Sequence, residues 1–81
     1  MARATIPTAL NERVRYFREA VGLTQDDLAV RVGVTRQSIS EIETAGVGVS
    51  VERARAIARA LGITTWLLLG EEPPIPLANA G

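Results

Sequence analysis

The glycine at position 33, set between two short amphipathic segments, constrains this chain more than any other residue. The stretch from Gln25 to Thr44 reads Gln-Asp-Asp-Leu-Ala-Val-Arg-Val-Gly-Val-Thr-Arg-Gln-Ser-Ile-Ser-Glu-Ile-Glu-Thr. Gly33 tolerates the left-handed backbone that ends a helix and turns the chain sharply. Ala29 is small, as a close helix crossing requires. Leu28, Val32, Val34, Ile39 and Ile42 are spaced to fill a seam between two helices. A random amphipathic pair would match one or two of these seven positions. The pattern therefore predicts two short helices locked at a steep angle, one from Thr24 to Gly33 and one from Thr35 to about Thr44.

The flanking segments read the same way. Leu10, Val14, Phe17 and Val21 recur at helical spacing and predict a first helix over about residues 9–21, opened by Pro7 and Thr8 and stopped by Gly22. Thr24-Gln25-Asp26-Asp27 resembles a capping box with Asp in place of Glu. Two acids in that first turn also suit the positive end of the helix dipole. Thr35 is a good N-cap for the third helix. Ser50 caps a fourth, about 51–61, whose stripe is Val51, Ala54, Ile57, Ala58 and Leu61. Arg53, Arg55 and Arg59 fall outside that stripe and read as a solvated face. Thr64 and Thr65 open a short fifth helix, Trp66 to Leu69, before Gly70. Pro73, Pro74 and Pro76 forbid regular helix beyond it. The division is thus an N-terminal arm (1–8), a helical domain (9–70) and a Pro-rich tail (71–81).

With 81 residues, one small domain is expected, and it buries a limited core. Phe, Tyr and Trp occur once each, so that core rests on Ala, Val, Ile and Leu. Cysteine is absent, which excludes disulfides and thiolate metal sites and fits a reducing cytoplasm. No apolar run approaches the ~20 residues that span a bilayer. With no His, Cys or Lys, the usual general bases, thiol nucleophiles and Schiff-base amines are missing. Asp26 and Asp27 are adjacent on a helix and point apart. No enzyme, cofactor or metal site is expected.

The outward face of the third helix carries Arg36, Gln37, Ser40 and Glu41. Arg and Gln make paired hydrogen bonds to guanine and adenine edges in the DNA major groove. Zero net charge works against a nucleic-acid binder. However, residues 1–70 hold nine Arg against seven acids, and Arg is the better bidentate donor to guanine and phosphate. Arg18, Gly22-Leu23-Thr24-Gln25, Leu28-Ala29, Gly33-Val34-Thr35, Ser38-Ile39, Ile42-Glu43 and Ile57-Ala58-Arg59-Ala60-Leu61-Gly62 together resemble the phage repressor and Cro-type helix-turn-helix family (Xre-like regulators). The resemblance covers about residues 10–70 and is ungapped from Arg18 to Gly62. It implies an all-α, compact five-helix, lambda-repressor-like DNA-binding domain that binds double-stranded operator DNA, commonly as a homodimer, to regulate transcription.

By position, the resemblance makes Gln25 a phosphate contact and places Thr35, Arg36, Gln37, Ser40 and Glu41 toward bases or backbone. Glu41 has three open readings: acceptor from cytosine N4, orienter of Arg36, or solvated side chain. Thr44 and Arg15 are further candidate DNA contacts, and Arg13 could add charge. Arg18 and Glu43 resemble a largely buried ion pair tying the first helix to the third. Each also flanks an apolar stripe, four residues after Val14 and Ile39 respectively. Two departures stand out. Ala45 replaces a frequent glycine, with Gly46 one residue later, and Val49 replaces a frequent proline. The loop 45–49 carries no Lys or Arg, so only backbone N–H groups, Ser50 and the next helix N-terminus could meet phosphate there.

Trp66, Leu67, Leu68 and Leu69 are too apolar for a short surface helix. Part must close the core, and the remainder is a candidate dimer patch. Ile75 and Leu77 could pack across such an interface. A two-fold dimer spaces its recognition helices about 34 Å apart and calls for a palindromic operator. The competing expectation is a protein-binding module of the same fold, an antitoxin or adaptor, which neutral charge and the apolar carboxyl end favour.

Overall fold

A computed structural model describes residues 5–46 and 49–71. It holds five helices: α1 (Leu10–Ala20), α2 (Gln25–Val32), α3 (Arg36–Ala45), α4 (Val51–Leu61) and α5 (Thr65–Leu69). No strand occurs among the described residues. The expected tail contacts of Ile75 and Leu77, half of the arm and most of the tail lie outside the described residues.

Four of the five helices start on a hydroxyl. Thr24, Thr35, Ser50 and Thr64 each accept a hydrogen bond from the backbone N–H three residues on. Such a bond satisfies one of the orphan donors of a helix N-terminus. At Thr24 the expected capping box is complete, because Asp27 Oδ2 also accepts from the Thr24 N–H at 3.0 Å. α1 differs. It begins at Leu10 with Ala9 in the cap position and no side-chain cap bond. Gly33 closes α2 at φ +86°, a conformation that strains any residue with a Cβ.

α2 and α3 form the crossed pair. α3 also packs on α1, while α4 and α5 close the opposite side against α2 and α1. The core is Val14 and Phe17 of α1, Leu28 and Ala29 of α2, Ile39 and Ile42 of α3, Ala54, Ile57, Ala58 and Leu61 of α4, and Leu68 of α5. Ala29 is buried as its small size foretold. Val32 and Val34 pack on the core from its edge. Two stripe positions depart from expectation. Val21 is 49% exposed, because α1 ends at Ala20 and helical periodicity stops there. Val51 is 65% exposed. It is the first residue of α4, and side chains lean toward the helix N-terminus, which carries this one past the core.

Candidate nucleic-acid interface

The exposed face of α3 is held from behind by a charged pair. Arg18 of α1 donates from Nε to Glu43 Oε2 at 2.6 Å and from Nη2 to Oε1 at 3.1 Å. Both residues are buried. Arg18 Nη1 also donates to the Leu23 carbonyl at 2.7 Å, so one guanidinium joins α1, α3 and the loop into α2. Its pKa is raised, first by the hydrogen bond to Glu43, against the opposing effect of burial. Asn11 Nδ2 donates to the Glu43 carbonyl at 3.2 Å and satisfies one of the last acceptors of α3.

In front of that anchor, Arg36, Gln37 and Glu41 are exposed and Ser40 is half-buried. Arg36, Gln37 and Ser40 line one open concavity. Arg36 has no carboxylate partner among the described residues. Glu41 orients Gln37 rather than Arg36, accepting from Gln37 Nε2 at 3.3 Å. Residues four apart stack on a helix, whereas Arg36 and Glu41 are five apart and diverge. That pairing was readable from spacing. Thr35 spends its oxygen on the Ser38 N–H and its hydrogen on Ser38 Oγ. The Thr44 hydroxyl donates to the Ser40 carbonyl at 2.6 Å, so donation to a phosphate requires it to turn away.

Two further candidates sit at the edges of this face. Gln25 opens α2 and donates from Nε2 to Glu43 Oε1 at 3.1 Å. Arg15 is exposed and pairs with Glu19 at 3.2 Å. It shares with Thr44 a groove between α1 and the end of α3.

Arg13 is not a surface charge. It is 8% exposed, and it donates to the carbonyls of Leu68 at 2.9 Å, Leu67 at 2.6 Å and Pro7 at 2.6 Å. The signal was in its register: three after Leu10 and four before Phe17 places it on the buried side of α1. Leu68 is fully buried, which removes it from the candidate dimer patch. In a helix of five residues one position must face the core, and α5 turns Leu68 under α1 and α4. Leu67 and Leu69 are half-buried against that core, and Trp66 is half-buried outside it.

Among the described residues, no cluster of three or more metal-ligating side chains occurs, and no helix is long and apolar enough to cross a membrane.

The family profile described as helix-turn-helix matches residues 14–65. A helix-turn-helix-type transcriptional regulator of Methanothermobacter thermautotrophicus is 51% identical over 49 residues, which are 60% of this chain and 71% of that one. The restriction-modification controller protein C.AhdI of Aeromonas hydrophila superposes with a TM-score of 0.71 at 31% identity, covering 75% of this chain and 92% of its own. The P22 c2 repressor, solved in complex with a synthetic operator, superposes with a TM-score of 0.72 at 27% identity over 82% of this chain and 100% of its own. An all-α fold of five helices, a crossed α2–α3 pair turned at Gly33 and these matches lead to one assignment: the chain belongs to the helix-turn-helix family of DNA-binding transcriptional regulators, of the lambda-repressor and Xre type.

Proposed function

We propose that the protein is a sequence-specific repressor that binds a palindromic operator as a homodimer in the cytoplasm, with α3 lying in the major groove. The observation that carries this reading is the outward set Arg36, Gln37, Ser40 and Glu41 on a helix whose back is fixed by the buried Arg18–Glu43 pair. Arg36 is free to reach a guanine edge. Gln37, steadied by Glu41, is suited to adenine, or the two can read as a unit. Gln25, Thr35, Thr44 and Arg15 supply backbone contacts that set register. The dimer face is α5, with Trp66 as its centre and Leu67 and Leu69 at its margin.

Selection from a randomised duplex pool tests the whole reading. The expected result is a palindrome with half-sites about one helical turn apart. On the selected site, Arg36→Ala costs about 1–3 kcal/mol and relaxes preference at one position. Arg15→Ala weakens all sequences alike. Equal losses on selected and random duplexes from Arg36→Ala overturn the assignment of α3 as reader.

A second reading, a protein-binding module such as an antitoxin or adaptor, is favoured by the zero net charge and by Trp66, which lies outside the core. Absence of any duplex binding at low salt selects it.

A further inference from the structure

Glu43 receives donors from two residues, and one of them leads to the surface. Arg18 occupies Oε2 at 2.6 Å and Oε1 at 3.1 Å, and Gln25 Nε2 reaches the same Oε1 at 3.1 Å. Gln25 is half-buried at the first position of α2. Its amide nitrogen carries two hydrogens, and Glu43 takes one.

The backbone beneath Gln25 is fixed as well. Arg18 holds the Leu23 carbonyl, and the Thr24–Asp27 box holds the first turn of α2. A long side chain tethered in this way has already lost much of the rotamer freedom that ordering on a ligand would otherwise cost. A bare carboxylate at this place would repel a phosphate. Paired with Arg18, Glu43 can hold the amide without presenting net negative charge.

We propose that Glu43, neutralised by Arg18, is a positioning residue for capture of the DNA backbone: it clamps the Gln25 amide at the N-terminus of α2 and leaves the second amide hydrogen for a phosphate oxygen. The inference rests on the DNA-binding reading above. It gives the buried pair a role in binding beyond stability. The opposite arrangement, in which Glu43 sequesters Gln25 from DNA, predicts the reverse sign.

The test is a mutant cycle read by fluorescence anisotropy on a labelled mixed-sequence duplex at low salt, because a phosphate contact is independent of sequence. Arg18→Met/Glu43→Met removes both charges together, which buried pairs tolerate far better than loss of one. Gln25→Ala is made in the native and in the doubly replaced protein. The expected result is a loss of about tenfold from Gln25→Ala in the native background and less than about twofold in the other. Gln25 is uncharged and releases no counterion, so its loss leaves the salt dependence unchanged.

Equal losses in both backgrounds, or tighter binding after the double replacement, overturn the proposal. Should the double replacement fail to fold, the native protein decides by NMR. One Gln25 side-chain amide proton protected from exchange and the other shifting on addition of the duplex is expected. Free exchange of both overturns it. Native protein that binds no duplex sinks the DNA reading itself. Native binding with equal Gln25→Ala losses sinks only the clamp.

Discussion

Arg13 and Arg18 are five residues apart on α1 and hold the fold by different means. Arg18 meets a carboxylate. Among the described residues Arg13 meets no carboxylate and gives donors to backbone carbonyls at the carboxyl end of α5, with Phe17 packed 5.6 Å from its guanidinium. Those carbonyls carry the negative end of a short helix, so the cation is compensated without an acid. Because α5 is too short to be stable alone, its position depends on this tie. Arg13→Met is expected to cost about 1–3 kcal/mol by leaving the buried Leu68 carbonyl without its donor, lowering the thermal midpoint by roughly 5–20 °C. Arg13→Lys restores only part, because an ammonium cannot span three separated acceptors as a guanidinium does. An unchanged midpoint in calorimetry would show that water replaces these bonds.

At the scale of elements, hydroxyl caps and glycine stops set the helix lengths, and α2 shows how charge enters. The Asp27 carboxylate accepts from the Thr24 N–H, and this bond, then the Thr24 hydroxyl, lowers its pKa below the usual 3.8. The folded chain therefore binds the Asp27 proton less readily than the unfolded chain does. Its contribution is complete above the unfolded value and is lost as pH falls through the lowered native one. Thermal melts of the native protein and Asp27→Asn should differ by a constant amount at neutral and mildly acidic pH. The difference should close as pH drops below the ordinary carboxylate range. A pH-independent difference would mean that geometry alone, not charge, makes the cap.

For the whole molecule, the decisive division runs through α5. Leu68 is fully buried, and Leu68→Ala is expected to destabilise by about 2–5 kcal/mol. Trp66 is half-buried and absent from the core. If α5 forms the proposed dimer face, Trp66→Gln should leave the monomer's helical content intact while raising the dimer dissociation constant in sedimentation equilibrium at least tenfold. Operator binding should then become more concentration-dependent. An unchanged dissociation constant would move the dimer contact away from α5. With zero net charge, the domain gains little long-range attraction to DNA, so in the proposed dimer the pairing of two recognition helices would carry more of the affinity than in a basic domain.

The sequence by itself determined the five helices and, α1 apart, the signals at their ends. Thr24, Thr35, Ser50 and Thr64 cap through bonds to residues three positions on, and Gly33 ends α2 through its own backbone freedom. The seam residues Leu28, Ile39 and Ile42 were equally legible, since burial follows period. The Arg18–Glu43 pair was within reach because each residue flanks a stripe and the family resemblance joins them. Tertiary structure decided the rest. Gln25 meets Glu43 across 18 residues and Arg13 meets Leu68 across 55, separations at which no local pattern fixes a partner. Which leucine of α5 turns inward likewise depends on how α1 and α4 present their surfaces. Hydrogen bonds that close within one helical turn are encoded where they form, whereas those that join different helices exist only once packing has brought the helices together.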